Sequence, residues 1–339
     1  MKKLLLPALL SCILIASVLT GCMQQVQEPE QYSFVFYNVE NLFDTIDDAD
    51  KNDEKYMPGS ELDWDTEKYL HKIDQVSRVL TSIHEHTLPS VIGLSEVENR
   101  LVLEDLIELS GLKEGGYVII HKEGPDERGI DVALLYRKSI FKPEYIDFMN
   151  IHYPFDPEEK TRDILYVKGE ILGEVIHYYV NHWTSRWSGH LETNPHRNYT
   201  ARLIRNHVDS ILVAEPEANI LIMGDLNDNP TDTSVYMILQ AFPLTMEIHS
   251  NELYNLTIAK YDQGHGTLYW KSWDMFDQVI VNGNFLKRIN LEKNELIFKK
   301  DWMLYERQDG VKVPSRTASR SYYGGFSDHL PVFIVVDKK

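Results

Sequence analysis

The sequence predicts a compact α/β protein in which strands outnumber helices, on three observations. Short runs rich in aromatic and β-branched residues recur between residues 32 and 336, longer stretches carry apolar residues at helical spacing, and chemically interesting polar residues stand just past the strand candidates. Sites in α/β folds usually lie at such strand ends. In chain order, 32–39 reads as a strand. The run 67–83 reads as an amphipathic helix, because Leu70, Ile73, Val76, Leu80 and Ile83 recur every three or four residues. A short apolar strand at 90–95 precedes a second helix at 101–109. Further strands are expected at 132–136, 175–180, 220–223, 276–281 and 332–336, with a helix over about 199–213. There is no internal repeat.

Composition supports one folded unit. Of 339 residues, 43% are hydrophobic and 25% charged, a balance that excludes disorder and a fibrous repeat, and 18 Gly and 14 Pro leave no long linker. Asp and Glu number 52 against 34 Lys and Arg, and the net charge of −18 excludes a broad cationic face of the kind that grips phosphate backbones. A role with nucleic acid has to rest on a local site.

The N-terminus reads as an address. Lys2 and Lys3 precede an apolar run over 4–19 that is short for a membrane span and ends in Leu19-Thr20-Gly21-Cys22, which resembles a bacterial lipobox. Residues 1–21 are therefore expected to be a lipoprotein signal peptide, with cleavage before Cys22 and lipid on that cysteine. Residues 22–31, polar and aperiodic, are expected to be a tether, and 32–339 the folded domain. The protein is placed in the bacterial cell envelope, held to the membrane by lipid on its periplasmic or cell-surface side, with no protein partner expected. Cys12 and Cys22 are the two cysteines, so the processed chain has no disulfide, no Cys nucleophile and no Cys-ligated zinc.

The chemistry gathers at strand ends: Asn38-Val39-Glu40-Asn41, Ser95-Glu96-Val97-Glu98-Asn99, Asn181-His182-Trp183, Gly224-Asp225-Leu226-Asn227, Phe276-Asp277-Gln278 and Ser327-Asp328-His329-Leu330-Pro331. Any one of them alone is most often a turn whose side chain caps local backbone. Their recurrence in one chain, always with Asn, Asp, Glu or His, is hard to attribute to turns. Side chains of these types can hold a hard cation, position a water and donate to developing charge. Mg²⁺ takes hard oxygen ligands and keeps several waters, so one or two carboxylates suffice, with Glu96 the first candidate.

These motifs, in this order, resemble the endonuclease/exonuclease/phosphatase (deoxyribonuclease I-like) superfamily over about residues 33–336. Phe36-Tyr37-Asn38-Val39-Glu40-Asn41-Leu42-Phe43-Asp44 is similar to a bacterial subgroup of secreted or lipid-anchored members. The resemblance implies a four-layered α/β sandwich, two packed, mostly antiparallel sheets flanked by helices. It implies Mg²⁺, with Mn²⁺ able to substitute, at Glu96, with Asn38 and Asp328 at the edge of the same site. It assigns Asp225 to orienting and deprotonating the attacking water and Asn227 to hydrogen-bonding the phosphate. It further implies that His329 donates to a phosphate oxygen, Asp277 holds that ring, and His182 contacts the scissile phosphate. Glu98 stands where many nucleases carry a basic residue, and Glu40 two positions after Asn38; both are expected to add negative charge near the metal. Compensation is sought in Arg186, four residues past His182 and the substrate-binding candidate, or in Arg128, Arg197, Arg316 and Arg320, read by default as surface arginines.

Asp48-Ala49-Asp50-Lys51-Asn52 opens like a calcium loop, but Asp53 and Gly59 replace the required Gly and Glu, so it reads as a solvated acidic loop. Trp183, Trp187, Trp270, Trp273, Tyr322 and Tyr323 are candidates for stacking on bases or sugars, although core or rim packing is the commoner use. Three functions stand. The leading one is an exported nuclease; the second uses the same metal chemistry on a phospholipid headgroup or a sugar or inositol phosphate; the third is a catalytically silent surface lipoprotein.

Overall fold

The computed structural model describes residues 31–84, 87–244 and 247–338. The expected signal peptide, most of the tether and Cys22 lie outside the described residues. Two mixed, mostly antiparallel sheets pack face to face. The first contains β1 (Gln31–Leu42), β2 (Val91–Val97), β3 (Tyr117–His121), β4 (Asp131–Arg137) and the last strand, β16 (Val332–Asp337), in the order β16-β1-β2-β4-β3. The second contains β5 (Phe141–Met149), β6 (Ile164–Ile171), β7 (Glu174–His182), β8 (Asn219–Asp225), β9 (Ala241–Phe242), β10 (Leu253–Asn255) and β13 (Asp277–Asn282), in the order β5-β6-β7-β8-β13-β10-β9. Two short ribbons, β11 (Leu268–Tyr269) with β12 (Trp273–Asp274) and β14 (Leu304–Glu306) with β15 (Lys312–Pro314), lie outside the sheets.

Period-2 alternation explains the layers. Along β1, Phe34 and Phe36 enter the core between the sheets, where they join Leu134, Leu165, Val167, Tyr178, Val180, Leu221, Met223, Val279, Val332 and Ile334. Val35, Tyr37 and Val39 point the other way, against Ile73, Val76 and Leu80 of α1 (Thr66–Ser82) and Val102, Leu103 and Leu106 of α2 (Arg100–Glu108). On the far face of the second sheet, Tyr179, Ile220 and Ile222 pack on Ala201, Ile204 and Val208 of α3 (His190–Ala214). The result is helix, sheet, sheet, helix. With both faces of each sheet covered, the central strands are apolar throughout, which is why their sequences read as continuous runs.

The expected elements are present with shifted ends. Helix α1 is capped by Asp65, which accepts from Lys68 N at 2.9 Å, but Leu70 is 43% exposed while Lys72 is fully buried. Helix α3 begins at His190, nine residues before the expected start, because Pro195 and a polar first half hide its periodicity. Strands β5 and β6 were not expected. β5 contains Pro143 and buries only Phe141, which mutes its pattern. Asp53, read as part of a solvated loop, is buried and accepts from Asp48 N at 2.9 Å.

Candidate active site

The site sits where the two sheets meet at one end. Each sheet holds one parallel pair of long strands, β1 with β2 and β7 with β8, and the carboxyl ends of these pairs converge. The first sheet supplies Asn38 and Glu96 together with Asp328 and His329 from the turn into β16. The second supplies His182, Asp225, Asn227 and Asp277. Antiparallel pairing sets Asp277 beside Asp225, and parallel pairing sets His182 on its other side.

Local backbone aims these side chains. The ladders of β1 and β2 shift register after Asn38 and after Ser95, and the residues at the irregularities, Glu40, Asn41 and Glu96, have φ of 52°, 56° and 61°. Asn227 has φ 50°. Non-glycine residues in the left-handed region cost roughly 1–3 kcal/mol each and cluster where function requires a particular aim. Gly224 has a different reason: a Cβ there would stand 2.4 Å from Asn181 O on the neighbouring strand.

Asp225 Oδ2 is the hub. Asn38 Nδ2 donates to it at 3.0 Å, while His182 Nε2 and His329 Nε2 lie 3.7 and 3.8 Å away. Its other oxygen accepts from Asn227 N at 2.9 Å, and Asn227 Nδ2 donates to Trp183 O at 3.0 Å. Burial first, then Asp277, pushes the Asp225 carboxyl up to about 7, with His329 pulling the other way. His329 Nδ1 lies 2.6 Å from Asp277 Oδ2. Burial works against its charged form, but Asp277 and Asp225 outweigh it and lift the imidazole well above its ordinary value. His182 behaves oppositely: burial, with Arg162 and Arg128 nearby, holds it well below, so this ring is neutral at pH 7. The two histidines therefore differ in charge, one suited to donating a proton and one to offering a neutral ring.

Glu96 and Asp328 form the oxygen-rich side. Glu96 Oε1 accepts from Asn38 Nδ2 at 3.1 Å and lies 3.7 Å from His182 Nε2; Oε2 accepts from Asn41 N at 3.0 Å. Asp328 Oδ2 accepts from Arg316 Nη2 at 2.7 Å. Both carboxylates line the cavity and supply hard oxygens, the donor type a divalent cation such as Mg²⁺ requires. The residues present fit such an ion, which Glu96 and Asp328 would hold with the Asn38 amide near Glu96. Asp225, Asp277 and His329 also bring ligand-type atoms within 4.8 Å of one another.

The acidic departures resolve differently from expectation. Glu98 does not line the cavity: it is buried and accepts from Asp44 N at 2.7 Å, and burial raises its carboxyl to about 8, so it is mostly neutral at pH 7. Glu40 is buried as well, and its charge is answered by Arg316 Nε at 2.9 Å, with Lys72 close by. Burial and Asp328 raise Glu40 to about 7, while burial lowers Lys72 to about 8.

The arginines also separate. Arg197 is not a surface residue: it is fully buried, with Nε 2.8 Å from Asp228 Oδ1. Arg186 lines the cavity, but its Nε donates to Asn227 O at 2.6 Å, its Nη2 engages Asp228 and Asp232, and its plane lies over Phe276. It braces the Asp225–Asn227 turn. Arg128 lines the cavity while paired with Asp126 at 3.2 Å, and Arg320 is exposed and not part of the wall. Sequence reasoning missed Arg162, which is buried and holds Asp126 at 3.0 Å and the Trp183 carbonyl; no local motif marks it.

Above these groups opens a cavity of about 640 Å³ with an aromatic wall of Tyr269, Trp270, Phe276 and Trp187. Of the stacking candidates, Trp187 and Trp270 line it, 89% and 65% exposed, whereas Trp183 is core and donates to Asn181 Oδ1 at 3.2 Å.

A family model described as the Endonuclease/Exonuclease/phosphatase family matches residues 33–338. No curated protein matches the chain by sequence. Among solved structures, truncated TDP2 of Caenorhabditis elegans is similar at 17% identity and TM-score 0.53, over 91% of this chain and 98% of that one. TDP2 of D. rerio, complexed with a single-strand DNA product, aligns at 14% identity and TM-score 0.51, over 91% of this chain and 99% of that one. A mannosyl-6-phosphatase of Bacteroides thetaiotaomicron aligns at 13% identity and TM-score 0.51, over 90% and 99%. At these identities the likeness is one of fold.

Proposed function

The chain belongs to the endonuclease/exonuclease/phosphatase family, and from that premise we propose that it is a divalent-metal-dependent phosphodiesterase acting as an exported nuclease. One observation carries the nuclease reading: Trp187 and Trp270, both largely exposed, stand on the wall of the cavity whose floor holds Asp225, Asn227, His182 and His329. Indole faces stack on bases whatever their identity, and such a wall suits an unpaired strand better than a duplex.

When bound, Mg²⁺ or Mn²⁺ supplies positive charge to a phosphate oxygen. The chain does the rest. Asp225 takes the proton from the attacking water, aided by a carboxyl that titrates near neutrality. Asn227 and neutral His182 orient the phosphate, and charged His329, kept in one orientation by Asp277, donates to the oxygen on which charge develops. Arg186 acts from behind, holding the turn that carries Asn227.

A second reading keeps this chemistry and changes the substrate to a sugar or inositol phosphate or a phospholipid headgroup. The net charge of −18 favours it, and a mannosyl-6-phosphatase shares the fold. Hydrolysis of single- and double-stranded DNA, RNA, sphingomyelin and sugar phosphates by residues 23–339, with Mg²⁺, Mn²⁺ or EDTA, decides between them. We expect metal-dependent cleavage of nucleic acid, faster on single strands and abolished by EDTA. Turnover confined to the small esters or the lipid selects the second reading, and no turnover with either metal selects a silent binding protein.

The same proposal places the protein in the cell envelope, anchored through Cys22. Cys22→Ala is expected to move the protein from the membrane pellet to the soluble fraction; a variant that stays in the membrane removes the lipid assignment.

A further inference from the structure

A cation that meets a phosphate must be placed and must keep donors to spare. Three arginines line the cavity, Arg128, Arg186 and Arg316, and two more, Arg162 and Arg197, are buried near it, Arg162 against Asp126 and the Trp183 carbonyl. Arg197 is fully buried against Asp228, Arg186 is occupied by Asn227, Asp228 and Asp232, and Arg128 folds back onto Asp126. Arg316 has a different setting. Its Nε donates to Glu40 Oε1 at 2.9 Å beneath the site, and its Nη2 to Asp328 Oδ2 at 2.7 Å on the cavity wall. The side chain is 38% exposed and lines the cavity. Those two bonds leave the Nη1 donors uncommitted to either carboxylate; Arg128 likewise uses only Nε and Nη2, but both on the one carboxylate of Asp126, so it lacks the bracing from two sides that Arg316 has.

The support beneath Arg316 is built from chain segments far apart in sequence. Thr317 N donates to the second Glu40 oxygen at 2.6 Å. Fully buried Lys72, from α1, donates to Thr317 Oγ1 and at 2.7 Å to Phe326 O, which ties the turn carrying Arg316 to the turn carrying Asp328. A guanidinium held at two of its nitrogens has lost most of its rotamer freedom before a ligand arrives, so little ordering cost remains when the third binds.

We propose that Arg316 is a substrate-binding residue that donates from Nη1 to a non-bridging phosphate oxygen, and that Glu40 is the positioning residue that aims it. The inference rests on the phosphoesterase reading for its ligand class, a phosphate ester. It accounts for a strongly acidic chain binding phosphate through one local cation. Glu40, expected to add negative charge near the metal, then serves to keep a guanidinium at the wall.

The test is inorganic phosphate binding to the full chain in detergent with EDTA, measured by titration calorimetry, beside kinetic constants with Mg²⁺. Arg316→Gln is expected to weaken phosphate binding about tenfold or more, the scale of a lost charge-assisted hydrogen bond, and to raise KM more than it lowers kcat. Arg316→Lys, which keeps charge but loses the fork, should recover part of the affinity. Glu40→Gln, which still accepts from Thr317 N, should move affinity in the same direction by less. Thermal melting of each variant reports folding. Unchanged affinity in folded Arg316→Gln, or no phosphate binding by the wild type in EDTA, overturns the proposal. Arg316-dependent phosphate binding without turnover of any ester would sink the enzymatic reading and leave this inference standing.

Discussion

Asp225→Asn lowers kcat by about 10³-fold or more, the upper part of the range for a positioned general base, while leaving the melting temperature close to that of the wild type. The amide keeps an oxygen for Asn227 N and is nearly isosteric, so the turn is preserved, but it cannot accept the proton from water. Folding should not suffer, because the wild-type carboxyl is already disfavoured by burial. Steady-state kinetics beside a thermal melt checks both halves. A kcat within tenfold of wild type would remove Asp225 as the base. Asp225→Ala separates the same roles more coarsely, since it also removes the acceptor for Asn227 N that holds the turn.

Arg197→Ala acts on stability. Arg197 and Asp228 are both fully buried and lie 2.8 Å apart, and removing one member of a buried pair strands the other charge. A loss of about 3–5 kcal/mol is expected, read from urea unfolding. Arg186 and Ser234 also contact Asp228, which favours the lower end. Adding Asp228→Asn should recover part of the loss, since no uncompensated carboxylate then remains. A change under about 1 kcal/mol would show that the remaining partners suffice.

These two residues mark the limits of what the sequence discloses. Asp225 was legible because Gly224-Asp225-Leu226-Asn227 is a local unit: a strand end, a glycine that lets two strands approach, and two polar side chains two residues apart. Asn38, Glu96, Asp277 and His329 were legible for the same reason. Arg197 was not, because its burial depends on a partner thirty-one positions away on another element. Glu98 was misjudged because its direction depends on the irregularity in β2, which sends it inward to Asp44 N. Lys72 falls on the buried stripe of α1, where an apolar residue is the ordinary occupant, and the carbonyl and hydroxyl that receive its charge come from the C-terminal turns. Strand candidates with both faces covered stood out, whereas the edge strand β5, with a single buried residue, did not.

The division of the site between the two sheets gives the core a duty beyond holding the chain together. Asn38 reaches Asp225 at 3.0 Å and His329 reaches Asp277 at 2.6 Å, and each bond runs from one sheet to the other. The thickness of the interlayer packing therefore sets the reach from the oxygen-donor half to the water-activating half. Gly93 shows how little slack there is, since a Cβ at that point of β2 would lie 2.8 Å from the Tyr178 hydroxyl and 3.1 Å from Val180 of the opposite sheet. One added methyl group there would separate the halves without touching any reactive atom, so the apolar filling between the layers works as the spacer of the catalytic machinery.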